Sequence, residues 1–365
     1  MKRIFAGAAV TILAAVLFFQ IPVQAVSAQK AILYDAETGR VLFEKDADSR
    51  SLIASTTKIM TALVVCEHCN VLDRMMIPKE AVGIEGSSMY LREGEVLTLQ
   101  ELLYGLMLRS GNDAAVALAI YCGGTVEGFA GMMNDKARQL GMTGTHFENP
   151  NGLDSPGHYS TARDLAILSA YAMKNPIFYQ TVSTKTVRVG ERSLQNHNKL
   201  LWRVDGADGV KTGFTKAAGR ILVSSATRDG RRLICVTIND GDDWNDHASL
   251  LNKGFSEYAV KQLVKRGERL GAATVFSGTE DTVQLLAAED FSFSLAPSEK
   301  VTIVLPPPGF VYAPVSCGQT AGEASVCIGD QTVGKIKLIY GKTVEQRKLQ
   351  KKRHFWDDWF GDKND

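Results

Sequence analysis

The sequence predicts an α+β protein in two parts: an antiparallel sheet flanked by helices, with a helical stretch inserted into it, followed by a small all-β domain. Three observations lead there. Strand-type runs stand at both ends of the stretch from about residue 30 to 240, with helical runs between them. After residue 266 the texture changes to short β-rich runs broken by Gly and Pro. And 365 residues are more than one small core requires.

The elements follow in order. Ala31-Ile32-Leu33-Tyr34-Asp35 and Val41-Leu42-Phe43-Glu44 flank Thr38-Gly39 and read as a hairpin. Ile59 to Val65 is a continuous apolar run and reads as a buried helix opened by Ser55. Thr98-Leu99-Gln100-Glu101 has the capping-box pattern, which predicts a helix through Leu108. Asn112 to Tyr121 is Ala-rich and helical, and Phe129 to Leu140 is a further helix ended by Gly141. Val210 to Thr215, Arg220 to Ala226 and Arg232 to Ile238 read as strands, the last two joined by an Asp229-Gly230 hairpin turn. A helix is predicted from about Trp244 to Val264. Thr282-Val283-Gln284-Leu285, Val301 to Leu305 and the alternating Lys335-Ile336-Lys337-Leu338-Ile339 belong to the all-β part, with a break at Pro306-Pro307-Pro308.

Composition narrows the function classes. Apolar residues make up 45% and charged residues 22%, and 40 acidic residues nearly balance 41 basic ones. That balance argues against nucleic acid as a partner. Lys2 and Arg3 precede an apolar run from about Ile4 to Ile21, and small-residue sites end at Ala25 and Ala28. This is the pattern of an export signal cleaved by residue 28; an uncleaved anchor helix is the alternative. The expected layout is a signal peptide over 1–28, the first domain over 29–265, the β-rich domain over 266–341 and a tail over 342–365. In the tail, a basic stretch from Arg347 to Arg353 precedes Phe355, Trp356, Trp359 and Phe360, which on a helix share an arc of about 140°. Such a segment suits a membrane surface, the alternative being a tail docked onto the protein or disordered. The chain is therefore expected outside the cytoplasm, at the outer face of the membrane and tail-associated. Six cysteines are compatible with disulfides in that setting, and Cys317 with Cys327, flanking a Gly-containing turn, is the expected pair. Cys66-Glu67-His68-Cys69 lacks a second ligand pair and reads as two ordinary cysteines at a helix end. The six histidines, among them His68, His146, His158, His197 and His247, show no metal spacing. Gly83 to Gly94 is expected to be a mobile loop near the site.

Three ordered motifs carry chemistry: Ser55-Thr56-Thr57-Lys58, Ser110-Gly111-Asn112 and Lys211-Thr212-Gly213. A serine hydroxyl needs a base, and a lysine three residues on lies one helical turn away on the same face. Burial and a second cation, for which Lys211 is the candidate, would keep that amine neutral. Ser110 can pass a proton to a departing amine, and Asn112 can hold a substrate amide. Lys211 and Thr212 offer a charge and a hydroxyl to a terminal carboxylate. Gly213 would let a substrate backbone approach, and the Phe214 N–H would join that of Ser55 as an oxyanion donor.

Together with Asn149-Pro150-Asn151-Gly152-Leu153, His158 to Ala166 and Asp208 to Thr215, these motifs resemble the exported D-alanyl-D-alanine carboxypeptidases, the low-molecular-mass penicillin-binding proteins. The resemblance is strong over about residues 30–265; the β-domain and tail match in layout. It implies a β-lactamase/transpeptidase-like first domain and no metal or cofactor. It implies an acyl-enzyme on Ser55 with Lys58 as base and Ser110 and Asn112 completing the pocket, and carboxylate binding by Lys211 and Thr212. The implied substrate is a peptidoglycan stem peptide ending in D-Ala-D-Ala, with β-lactams as covalent inhibitors. Two rivals remain at this point: a class A-like β-lactamase, for which Glu148 is the candidate deacylation residue although its context departs from Glu-x-x-Leu-Asn, and a non-catalytic wall-binding sensor. Asp154 and Asp164 read as loop or cap residues.

Overall fold

In the computed structural model, which describes residues 26–307 and 309–348, the first domain is built on a five-stranded antiparallel sheet. Its strands are β1 (Lys30–Asp35), β2 (Val41–Lys45), β7 (Ala207–Thr215), β8 (Gly219–Arg228) and β9 (Arg231–Ile238), in the spatial order β2-β1-β9-β8-β7. Between β2 and β7 the chain inserts α1 (Lys58–His68), α2 (Leu99–Leu108), α3 (Asn112–Gly123), α4 (Val126–Gln139), α5 (Ala162–Ala172) and α6 (Pro176–Ser183), with two small hairpins, β3 (Arg74–Met76) with β4 (Val96–Thr98) and β5 (Thr186–Val189) with β6 (Arg192–Gln195). The expected capping box is present: Thr98 Oγ1 accepts from the Glu101 amide while the Glu101 carboxylate accepts from the Thr98 amide.

The sheet is covered on both faces, which explains why its strands read as unbroken apolar runs. Ile32, Val223, Ile234 and Val236 face the helical insert; their neighbours Leu33, Ala226, Leu233 and Cys235 face Leu250 and Leu251 of α7 (Asp243–Glu257). Successive residues on a strand point to opposite faces, so each strand serves two cores.

The predicted helix from Trp244 to Val264 stops early. After Glu257 the chain extends into β10 (Ala259–Val264), which pairs antiparallel with β13 (Phe291–Leu295). Helix-compatible residues such as Lys261 and Gln262 are overridden by this long-range pairing. The second unit continues through β11 (Arg269–Phe276), β12 (Thr282–Ala287), β14 (Val301–Val304), β15 (Phe310–Tyr312), β16 (Thr320–Ile328) and β17 (Gln331–Tyr340), forming a sheet of order β14-β16-β17-β12-β11-β15 around Val283, Val326, Ile336 and Leu338. Its fold runs on into the expected tail: Val344 is buried and pairs with Val315, and the Arg347 amide donates to the Ser277 carbonyl.

The β1–β2 turn joins the two units. The Asp35 carboxylate, wholly buried, accepts from Arg231 Nε at 2.7 Å and from Ser294 Oγ at 2.6 Å. Arg40 reaches the Ser294 carbonyl and both carboxylate oxygens of Glu299, with its guanidinium over the rings of Tyr258 and Phe293.

The expected signal peptide and the basic-aromatic tail fall almost wholly outside the described residues. Of the two candidate cleavage sites, the one after Ala25 leaves in place the bonds of Ser27 to Asp240 and Asp246.

The disulfide expectation is corrected. Cys317 and Cys327 are free, and the bond joins Cys69 to Cys122, the ends of α1 and α3. No local spacing signals a partner 53 residues away; helix packing brings the two Cα atoms to 6.6 Å. Closing a loop of that length in the unfolded chain predicts a stabilisation of about 4 kcal/mol on the chain-entropy scale. Urea unfolding of Cys69→Ser/Cys122→Ser should show a loss of that order, and an unchanged midpoint would sink the prediction.

Candidate active site

Ser55 sits in a 3-10 turn, Ala54–Thr57, that runs directly into α1. The turn brings Lys58 Nζ to 3.0 Å from Ser55 Oγ. The Lys58 side chain is fully buried, and its nitrogen also lies 2.7 Å from Asn112 Oδ1 and 2.5 Å from the Asn151 carbonyl oxygen. A neutral amine has two hydrogens and one lone pair. The two carbonyl oxygens can only accept, so they take both hydrogens, and the lone pair is left for the Ser55 hydroxyl. The electrostatics agree: burial, then the Lys211 charge, push the Lys58 pKa well below its ordinary value, against an upward pull from Asp113.

Asn112 opens α3, and its side chain is pinned from both ends. Oδ1 accepts from Lys58, while Nδ2 donates to the Glu85 carbonyl at 2.5 Å and the backbone amide donates to the Ser87 carbonyl. One amide hydrogen and one lone pair are left for a ligand. Ser110 is buried, with φ of 61°. A side-chain residue in the left-handed region costs about 1–2 kcal/mol, a strain typical of functional turns.

The stretch 83–94, expected to be mobile, is firmly tied instead. The Asp113 carboxylate accepts from Ser88 Oγ at 2.6 Å and from the amides of Met89 and Leu91, and Met89 and Leu91 are buried. Asp113 is the organising residue that motif reading passes over. Its only signal in the sequence is an acidic residue in the first turn of a helix that follows a serine motif.

A second loop closes the site from below. Thr61 Oγ1 donates to the Pro150 carbonyl, and Gly152, at φ 84°, lies so close that a Cβ would stand 1.9 Å from the Ala54 oxygen. Only glycine fits there. Thr57 Oγ1 lies 2.7 Å from His158 Nε2, while His158 Nδ1 accepts from the Glu148 amide. Because Nδ1 accepts, the neutral ring carries its proton on Nε2 and donates it to Thr57. Glu148 itself is exposed and accepts from Ser155 and the Gly157 amide within its own loop. Asp154 accepts from Thr215 Oγ1, and Asp164 accepts from Gly144 and Thr145.

Lys211, Thr212 and Gly213 lie on β7, the edge strand beside the 3-10 turn. Lys211 is buried behind the strand, donates to the Thr212 carbonyl at 2.9 Å, and has its pKa brought down to about 7 by burial. Gly213 has a reason beyond the one expected: a Cβ there would stand 3.3 Å from both the Ile53 oxygen and the Thr56 nitrogen, so its bareness lets the strand pack on the turn that holds Ser55. In front lies a cleft of about 710 Å3 lined by Ser55, Ser110, Thr212, Gly213 and Phe214, while Lys58, Lys211 and Asn112 are buried and are not among its lining residues. Arg109, Lys199, Arg203 and Arg220 make its rim basic, which suits a ligand with an anionic end. Arg220 opposes Phe214 on β8 and is held by Asp243 at 2.7 Å. The β8 register could have located it; nothing in the sequence pointed to Arg109 or Lys199.

The chain matches the D-alanyl-D-alanine carboxypeptidase family profile over residues 19–242, and the profile of the penicillin-binding protein 5 C-terminal domain over residues 258–346. It is 32% identical to D-alanyl-D-alanine carboxypeptidase DacF of Bacillus subtilis over 81% of this chain and 80% of that one. With DacC of Escherichia coli the identity is 34%, over 88% and 85% of the two chains. Penicillin binding protein 5 from Haemophilus influenzae superposes with a TM-score of 0.77 at 30% identity, covering 88% of this chain and 98% of that one.

Burial holds the His158 pKa down to about 4 from 6.5. Between those values the unfolded chain binds a proton that the folded chain does not, so stability falls as pH drops below 6.5. The expected loss from this group is about 2 kcal/mol at pH 5 relative to pH 7. Urea midpoints of the wild type and His158→Gln at the two pH values check it: the variant should lose less, and equal losses would refute the assignment.

Proposed function

Because this chain belongs to the D-alanyl-D-alanine carboxypeptidase family, we propose that Ser55 is the nucleophile with which it removes the terminal D-alanine from peptidoglycan stem peptides, with Lys58 as base. The observation that carries this reading is the Lys58 amine, whose two carbonyl partners leave its lone pair to Ser55. As Ser55 Oγ attacks the carbonyl of the penultimate D-alanine, its proton passes to Lys58 Nζ. The backbone N–H groups of Ser55 and Phe214 receive the developing oxyanion. Ser110 then relays a proton to the amine of the departing D-alanine, the peptide bond breaks, and an ester on Ser55 remains. Water attacks the ester with Lys58 again taking the proton, and Ser55 Oγ leaves as the hydroxyl.

Lys211 and Thr212 hold the substrate's terminal carboxylate, supported by the basic rim, and Asn112 binds the amide beside the scissile bond. A β-lactam presents the same carboxylate and a strained amide to Ser55, so it acylates the same oxygen and stays attached. The engagement of Glu148 in its own loop gives no support to a β-lactamase-type deacylation. The export signal and the tail support action outside the cytoplasm, with the basic-aromatic tail resting on the membrane surface. No helix among the described residues is long and apolar enough to cross a membrane.

Ser55→Ala should abolish both penicillin labelling and release of free D-alanine from a diacyl-D-Ala-D-Ala peptide, while the wild type does both and turns penicillin over slowly. A labelled Ser55→Ala protein would remove the nucleophile assignment. Lys211 must be charged to bind a carboxylate, and burial brings its pKa down to about 7. KM should therefore rise with pH above about 7, approaching tenfold per unit, while kcat changes less because a bound carboxylate restores the proton. A KM that stays flat from pH 6 to 9 would count against Lys211 as the anchor.

A further inference from the structure

The β-domain carries an apolar surface that the chemistry does not use. Phe276 on β11 and Phe310 and Tyr312 on the edge strand β15 are 48%, 63% and 65% exposed. The two strands run parallel with Phe276 opposite Tyr312 and Val275 opposite Val311. Alternation therefore sends the aromatics outward while Val275, 3% exposed, points into the core. The three rings touch edge to face or tilted, with centroids 5.3, 5.8 and 6.0 Å apart. They form one preassembled patch, and rigid aromatics grouped on a surface mark a contact site.

Where the described chain ends says what covers the patch. The Arg347 amide donates to the carbonyl of Ser277, the residue after Phe276, and Gln346 bridges to Gly278. The last described residues therefore lie beside the patch. The sequence then runs through Lys348, Lys351, Lys352 and Arg353 to Phe355, Trp356, Trp359 and Phe360. Of the acidic residues near that end, Glu280 is paired with Lys342 and Asp281 with Arg347, while Glu345 is exposed with no ion pair among the described residues. The joins between the two units run instead through the β1–β2 turn to β13 and Glu299.

We propose that Phe276, Phe310 and Tyr312 form a second membrane contact, seated in the headgroup region of an anionic lipid surface beside the tail's own attachment. Aromatic side chains favour that region, and basic residues nearby add attraction to anionic lipid. Two neighbouring contacts fix the orientation of the β-domain on the membrane, which a single attachment point does not. The proposal builds on the reading of the tail as a membrane segment but does not stand or fall with it.

The test is sedimentation with vesicles of mixed phosphatidylglycerol and phosphatidylethanolamine. It uses the mature chain, Phe276→Ser/Phe310→Ser/Tyr312→Ser in that chain, a chain ending at Lys348, and the two changes combined. Penicillin labelling reports that each is folded. The triple change should lower vesicle partitioning about tenfold in the full chain, and abolish what remains in the shortened one. If shortening at Lys348 leaves binding intact while the triple change removes it, the tail reading fails and the patch stands. Three results overturn the proposal: unchanged binding of the triple variant, stronger binding of it, which would mean that the tail shelters on the patch, or dimerisation of the shortened chain that the triple change removes, which would mean that a second copy covers it.

Discussion

Everything around the site answers to one amine held out of water with only neutral partners. An ammonium at the Lys58 position would pay a large desolvation penalty. The fold therefore favours the neutral amine: two carbonyl oxygens, from Asn112 and Asn151, take its two hydrogens, and the nearby charge of Lys211 adds to the cost of a third proton. The two oxygens come from distant segments, and each needs its own support. Asn112 is placed by the stretch that Asp113 gathers, and Asn151 by a loop whose Gly152 lies almost on the Ala54 oxygen. Loosening either loop would let water reach the nitrogen and return it to an ordinary, protonated lysine.

The sheet contributes position rather than reactivity. Its edge strand β7 packs on the 3-10 turn through Gly213, so the strand that carries Lys211 and Thr212 and the turn that carries Ser55 are in direct contact. The opposite strands anchor the β-domain through Asp35 and Arg40. The two units are thus linked by the Asp35–Ser294 hydrogen bond and the Arg40–Glu299 ion pair.

Residues that act through local spacing were legible in the sequence. Ser55 and Lys58 are one turn apart, the Thr98 capping box spans four residues, and Asp229-Gly230 makes its own turn. Residues that act across long separations were not. Asn151 supplies a backbone oxygen, which no side-chain pattern announces. Cys122 finds Cys69 because α1 and α3 pack together, whereas Cys317, in a turn, and Cys327, on β16, are close in sequence but free. The glycines between 83 and 94 suggested mobility; the carboxylate that immobilises the stretch lies more than twenty residues on. Val260 to Val264 reads as helix by composition and becomes strand because β13 offers a partner.

The sheet order has a consequence for how this chain can be delivered. β1 has β9 as its inner neighbour, and Ala31 pairs with Thr237. A chain emerging N-terminus first, from a ribosome or through a membrane pore, therefore presents its first hairpin and the whole helical insert before the strand that closes the sheet exists. Contacts of such long separation form late and slowly. Until β9 arrives, Ile32 and Leu33 have only half their cores, and the chain remains open enough to be threaded.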